Sequence, residues 1–304
     1  MIVCTRNRPR ELELCLQALA RLRYPDYEVL VVENGTPDSH TRKIAEHHGA
    51  RYLNSPIVGL SRARNDAAKN CKTELLAYTD DDAIPREDWL MNLASEFRDP
   101  SIMAVAGEMV PPPIDGQTTP SCLQRSPEYN REQVCVVGPN TPDWFSLTNF
   151  GQIGDGSNMC FRRTAFELWP GFDERLGRGA ILNSAEEHFS FFQLVLRGYQ
   201  CVHTPHAIVQ HPCLVGTDEV HLFHRTNLIN AVAYAGLLWV EFPETRGLLL
   251  KHLWSRSFGE RRRVRTTSVD KKATSLSIGE QLAVIAAGLR LFRKIPRTTA
   301  RRAP

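Results

Sequence analysis

Leu75-Leu76-Ala77-Tyr78-Thr79-Asp80-Asp81-Asp82 is an apolar run that closes on three consecutive carboxylates. An unbroken apolar run of this length suits a strand buried on both faces of a parallel sheet. Adjacent anions at a strand end repel one another and call for a cationic partner. A hard divalent ion with oxygen ligands meets that need, and such ions bridge phosphates to protein. The same triplet would also serve as a solvated acidic turn ahead of the next helix, since Pro85 follows.

On the N-terminal side, strands and helices alternate. Ile2–Thr5 reads as a short strand, Arg10–Arg23 as a helix, and Tyr27–Val32 as a strand closed by the turn Glu33-Asn34-Gly35. Asp38–His48 reads as a polar helix, Arg51–Asn54 as a strand, and Leu60–Cys71 as a helix with Ala63, Ala67 and Ala68 on its small face. Arg86–Phe97 is helical and Met103–Val110 a strand. This rhythm predicts an α/β domain with a parallel sheet covered on both faces. Ligands in such sheets bind at the carboxyl ends of strands, where Glu33 and Asp80–Asp82 sit.

Pro111 opens a Pro-, Gly-, Ser- and Thr-rich segment that reads as irregular to about Asn149. Met159–Arg162 is then a strand, Thr164–Leu168 a short helix, and Ala185–Arg197 a helix opening on Glu186-Glu187. Cys201–His203 and Ala207–Gln210 read as two short strands before His211. Residues 219–254 look helical, 255–275 basic and exposed, and Ile278–Lys294 an amphipathic helix.

The chain has 304 residues and a net charge of +3. Residues 251–304 hold 14 Lys+Arg against 3 Asp+Glu, so the remainder carries 23 basic and 31 acidic groups. A basic end suggests an anionic partner. Nucleic acid is disfavoured, because the basic residues are not interleaved with stacking aromatics. The eight cysteines form no C-x-x-C pair. They read as reduced thiols, and with a first strand that begins at Ile2 the expectation is a cytoplasmic protein.

Several motifs then fall in order: Thr5-Arg6-Asn7-Arg8-Pro9, Val31-Val32-Glu33-Asn34-Gly35, Gly59-Leu60-Ser61-Arg62-Ala63-Arg64-Asn65, Thr79-Asp80-Asp81-Asp82 with Trp89-Leu90, Gly156-Ser157-Asn158, Gly171-Phe172-Asp173-Glu174, Glu186-Glu187 and Val209-Gln210-His211. Over about residues 1–212 the chain resembles glycosyltransferase family 2, the GT-A fold enzymes that use nucleotide-sugar donors. The resemblance implies a Rossmann-like, mostly parallel sheet flanked by helices, with a helical C-terminal extension. It places a catalytic domain at 1–218, with a nucleotide-binding half at 1–110 and an acceptor half at 111–218, and a basic helical extension at 219–304. It implies a divalent cofactor, Mn²⁺ or Mg²⁺, in a DxD motif with Asp82 and Asp80 as ligands and His211 completing the site. Thr5, Asn7, Arg8, Glu33, Arg64, Asp80, Asp81 and Asn158 are the implied nucleotide-sugar contacts. The acceptor would be a glycan or lipid-linked hydroxyl, deprotonated by Glu187 or Glu186, in polysaccharide biosynthesis. Glu33 and Glu187 stand where the family usually has Asp. The alternative is a non-catalytic sugar-nucleotide or glycan-binding scaffold that kept the fold.

Each of these residues also has a plain structural role open to it. Arg64 can pair with Asp80–Asp82, Asn158 can be a turn residue, and Glu186-Glu187 can serve the positive end of a helix dipole. Ile278, Leu282, Ile285, Leu289 and Phe292 share one helical face, with Arg290, Arg293, Lys294, Arg297, Arg301 and Arg302 at its end. That face suits either packing on the catalytic domain or peripheral membrane contact through 276–304.

Overall fold

The computed structural model describes residues 1–112, 132–151, 153–212, 217–259 and 276–297. Cys122, Cys213, Arg301, Arg302 and most of the basic stretch 255–275 lie outside them. The chain divides into two compact units: Met1–Glu174 with Glu186–Cys213, and Arg175–Ala185 with Leu214–Pro304.

The first unit is built on a nine-stranded mixed sheet. Strands β1 (Ile2–Thr5), β2 (Leu30–Asn34), β3 (Arg51–Ser55) and β4 (Leu75–Asp80) alternate with α1 (Pro9–Leu19), α2 (Ser39–His47) and α3 (Leu60–Asn70). They pair in parallel in the order β3-β2-β1-β4. Side chains along β1 and β2 alternate between the sheet's two faces. Ile2, Cys4, Leu30 and Val32 join one core with Ala63, Ala67 and an aromatic cluster around Phe161, while Val3 and Val31 join another with Leu12, Leu16 and Trp89. Burial on both faces explains why β4 reads as a continuous apolar run.

Beyond β4 come β5 (Ile84–Pro85), α4 (Trp89–Ser95), β6 (Ile102–Val110), β7 (Cys135–Val137), α5 (Trp144–Asn149), β8 (Asn158–Arg162), α6 (Ala165–Leu168), α7 (Glu186–Leu196) and β9 (Gln200–Gln210). The sheet continues β4-β8-β6-β9-β5, with β7 also on β9. β8 runs antiparallel to both of its neighbours. Two sequence readings change here. The segment expected to be irregular to Asn149 contains β7 and α5. The two strands expected at 201–210 are one, because Pro205 lies where the β6–β9 register shifts between Ala106 and Glu108. An irregularity of that kind tolerates a residue without an amide donor.

That register shift also explains Asn158, which was expected at the donor sugar. It is fully buried. Its Nδ2 donates to the carbonyls of Glu108 and Ala207 at 2.9 and 2.8 Å, and its Oδ1 accepts the Trp89 indole N–H at 2.8 Å. The side chain takes up two carbonyls at the point where the ladder parts. Gly107 makes room for it: a Cβ there would lie 2.1 Å from the Ala207 oxygen and 2.5 Å from Asn158 Nδ2. A second asparagine, Asn65, exchanges hydrogen bonds with the backbone N–H and C=O of Phe172, both at 2.8 Å.

The second unit contains α8 (Thr217–Glu241), a 3-10 turn at Pro243–Thr245, α9 (Arg246–Gly259) and α10 (Ile278–Lys294). The helical stretch read at 219–254 is thus broken where Pro243 cannot continue the α8 ladder. Helices α8 and α10 approach closely through glycines. A Cβ on Gly288 would lie 2.5 Å from Val232 Cβ, and one on Gly236 would lie 2.9 Å from the Phe292 ring. The Arg175 guanidinium binds the Glu241 carboxylate and the Pro296 carbonyl, at 2.5 and 2.7 Å from one of its nitrogens.

Replacing Asn158 by Ala should leave two carbonyls and an indole N–H without partners in the core, at a cost of about 3 kcal/mol. Urea unfolding measures it; a loss within ~0.5 kcal/mol of zero, the range of ordinary surface changes, would show that the clamp is dispensable.

Candidate active site

The carboxyl ends of β1 and β4 carry most of the charge. Thr5 ends β1 and donates its hydroxyl to Asp81 Oδ2 at 2.7 Å. Arg8 follows, at the start of α1, and reaches Asp81 Oδ1 at 2.8 Å and Asp82 Oδ2 at 2.7 Å. Asn7 lies between them with φ +55°, a conformation Asn tolerates, and is exposed. His211, just past β9, brings Nε2 to 3.1 Å from Asp82 and 3.8 Å from Asp80. Its Nδ1 lies 2.8 Å from the Pro212 carbonyl, an acceptor that fixes the ring and leaves Nε2 facing the carboxylates. The triplet of anions is therefore compensated from three directions.

The protonation states follow. Burial works against the imidazolium, yet hydrogen bonds and charge from Asp80 and Asp82 push His211 up to about 10. Burial would raise Asp82, but His211 and Arg8 hold it well below the usual carboxylate range. Asp81, more deeply buried, is pushed up to about 6 against the pull of Thr5 and Arg8.

Asp80, Asp82 and His211 each offer one ligand atom, all within 4.8 Å of one another. Two carboxylate oxygens and one imidazole nitrogen suit a divalent ion such as Mn²⁺ or Mg²⁺. An ion held there would replace the His211 proton as the compensating charge. A hollow of about 200 Å³ opens beside Asp82 and His211, walled by Leu14, Ile84, Pro112 and Pro212.

Arg64 connects this cluster to a second pair of carboxylates. It projects from α3 and is almost wholly buried. Its guanidinium lies 2.8 Å from Glu186 Oε1, 2.9 Å from the Gly156 carbonyl and 3.5 Å from Asp80 Oδ1. Gly156 permits this approach, since a Cβ there would lie 2.9 Å from the guanidinium. Glu186 and Glu187 open α7 immediately after Ala185, whose φ is +72°. Burial and the neighbouring Glu187 raise the Glu186 carboxyl, despite Arg64. Burial acts on Glu187 in the same sense, but the His188 imidazole 3.1 Å away outweighs it and keeps this carboxylate ionised. His188 is a member of the site that the sequence reading missed. A lone His following two acids carries no signal until helix geometry turns it back onto one of them.

Glu33 is placed differently from its neighbours. Its residue is fully buried at the end of β2, and neither carboxylate oxygen has a hydrogen-bond partner of good geometry. Burial raises it, opposed by the Thr41 hydroxyl and the Asn7 and Asp38 amides that face it. The structure thus brings together Thr5, Arg8, Arg64, Asp80–Asp82, Glu186, Glu187 and His211, and leaves Asn158 in the sheet and Glu33 beneath its surface.

A family model described as Glycosyl transferase family 2 matches residues 1–167, more than half of the chain. The chain belongs to glycosyl transferase family 2. Among curated relatives, the pre-mycofactocin glycosyltransferase of Mycobacterium tuberculosis is 25% identical over 239 residues, 77% of this chain and 44% of the relative. Glycosyltransferase AglE of Haloferax volcanii is 31% identical over 117 residues, 36% of this chain and 38% of the relative. The family 2 chain spans about half the length of the curated relatives it matches. In fold it is similar to the mannosyltransferase PcManGT from Pyrobaculum calidifontis, solved in complex with GDP-Man and Mn²⁺, with a TM-score of 0.60 and 18% identity over 96% of this chain and 86% of that one. It is also similar to S. aureus TarS 1-349 in complex with UDP-GlcNAc, with a TM-score of 0.58 and 16% identity over 97% and 80% of the two chains. The fold is the GT-A fold that the motifs implied.

Arg64→Met should lower stability by about 3–5 kcal/mol, because it strands buried carboxylates. Adding Glu186→Gln removes one of those charges and should recover part of the loss in a double-mutant cycle by urea unfolding. An Arg64→Met loss that is the same with and without Glu186→Gln would show that the pair is not coupled.

Proposed function

We propose that this chain transfers a sugar from a nucleotide-sugar donor to a hydroxyl of a glycan or lipid-linked acceptor, with inversion at the anomeric carbon. The observation that carries the proposal is one buried guanidinium, Arg64, that binds both Asp80 of the metal-ligand trio and Glu186 of the second carboxylate pair. It sets leaving-group chemistry and proton abstraction at a fixed separation. The donor is taken as a UDP-sugar on the family resemblance.

Asp80, Asp82 and His211 would hold the divalent ion, Mn²⁺ or Mg²⁺, which supplies charge neutralisation to the departing diphosphate. Arg8 is half-exposed above Asp81 and Asp82 and would bind phosphate oxygens. Glu187 is the base: it is kept ionised by His188, whereas Glu186 is occupied by Arg64. The acceptor O–H proton passes to Glu187 as its oxygen bonds to the anomeric carbon. The bond from that carbon to the diphosphate oxygen breaks on the opposite face, and a nucleoside diphosphate leaves. Glu186 positions Arg64 and, through it, Asp80. A cytoplasmic location fits the six described cysteines, all free thiols.

Two substitutions separate the halves of this mechanism. Asp82→Ala should abolish Mn²⁺-dependent UDP binding in calorimetry while the far-UV spectrum is unchanged. Glu187→Gln should keep UDP affinity within about twofold and lower donor turnover by ~10²–10⁴-fold, the range of a lost general base. Metal-dependent binding without turnover of any UDP-, GDP- or dTDP-sugar in the unsubstituted protein would favour the binding scaffold instead.

A further inference from the structure

Among the described residues of its unit, helix α10 does not pack through its most apolar face. It meets α8 through Val284 and Gly288, both buried, and through the Phe292 ring against Gly236. Ile278, Leu282, Ile285 and Leu289 lie on a different face and are 47–77% exposed. At 100° per residue these four fall within about 60° of arc, a continuous stripe two turns and more in length. Of the five residues that define the stripe, Phe292 is the one whose ring meets α8, against Gly236.

The charges around the stripe have one sign. Arg293 stands one turn beyond Leu289 on the same face, and Arg290, Lys294 and Arg297 are exposed beside and beyond it. The helix has one acidic residue, Glu280, and it is directed elsewhere. Glu280 closes the capping box with Ser277, and its carboxylate lies 3.6 Å from His221 of α8. Lys and Arg stems lie along apolar surface while their heads reach outward to anions. No helix among the described residues is long and apolar enough to cross a membrane.

We infer that the exposed face of α10 is a docking surface for an anionic lipid bilayer, on which the helix lies in the plane of the interface. A basic amphipathic helix binds there by burying its apolar stripe among the acyl chains while its cations pair with headgroups. A second copy of the chain is the competing occupant, and two facts disfavour it. The stripe has the spacing of a coiled-coil seam but covers fewer than the three to four heptads that such a seam sustains. Four side chains also fall short of the ~800 Å² per partner of a standard interface. The inference does not depend on the catalytic reading.

Vesicle co-sedimentation of the full chain tests it, with phosphatidylglycerol/phosphatidylcholine vesicles beside pure phosphatidylcholine. Sedimentation with the anionic vesicles should fall as NaCl is raised from 50 to 500 mM. It should weaken by roughly tenfold or more in the Leu282→Asp/Ile285→Asp variant, whose exposed sites leave melting unchanged. Arg290→Glu/Arg293→Glu should weaken binding and flatten its salt dependence. Failure to sediment at low salt would overturn the inference, as would binding indifferent to the Leu282/Ile285 changes. A concentration-dependent dimer in analytical ultracentrifugation that the same changes abolish would assign the face to a second copy.

Discussion

The first unit is organised around the repulsion among Asp80, Asp81 and Asp82 at the end of β4. No single group relieves it. Arg8 arrives from the β1–α1 connection, Arg64 from α3 and His211 from the end of β9, so three segments distant in sequence converge on one strand terminus. Two of the compensating groups are also tied to something further: Arg64 continues to Glu186 and His211 to the Pro212 carbonyl. The Arg64–Glu186 pair ties the first turn of α7, and with it the second carboxylate pair, to this strand end, while Phe191, Leu194 and Val195 pack the helix on the core.

The balance is also what makes the cluster suited to a cation. His211 is charged only because the aspartates hold its proton, so the positive charge facing them is exchangeable. Arg8 and Arg64 are not exchangeable, and they limit how much negative charge the trio presents. A site built from carboxylates alone would bind a divalent ion more tightly; with the proposed trio, an ion would keep net positive charge for phosphate oxygens to share.

The fold was legible where local pattern and tertiary environment agree. β4 is apolar because both faces are covered, and α10 runs over the same Ile278–Lys294 that its periodicity and the Ser277 capping box define. The acidic strand end, and the pairing of Arg64 with it, could also be read, because like charges at adjacent positions require a partner. Asn158 could not be placed this way. Its partners are freed by a register shift between β6 and β9, two strands that meet far from it in sequence, and only Gly107 betrays the close approach. The single strand Gln200–Gln210 was read as two for a related reason, since Pro205 is accommodated at that irregularity. In α10 the apolar face was legible, but not the face that meets α8: that contact runs through Gly236 and Gly288, which carry no hydrophobic signal.

The central claim is that Asp80, Asp82 and His211 form one divalent-metal centre at the end of β4. Anomalous diffraction at the manganese edge, from crystals grown with Mn²⁺ and UDP, tests it most directly. The account predicts a single strong anomalous peak within bonding distance of Asp82 and His211 Nε2, with Asp80 in its coordination sphere. A peak bound elsewhere, or none at saturating Mn²⁺, with the His211–Asp82 ion pair intact, would contradict it.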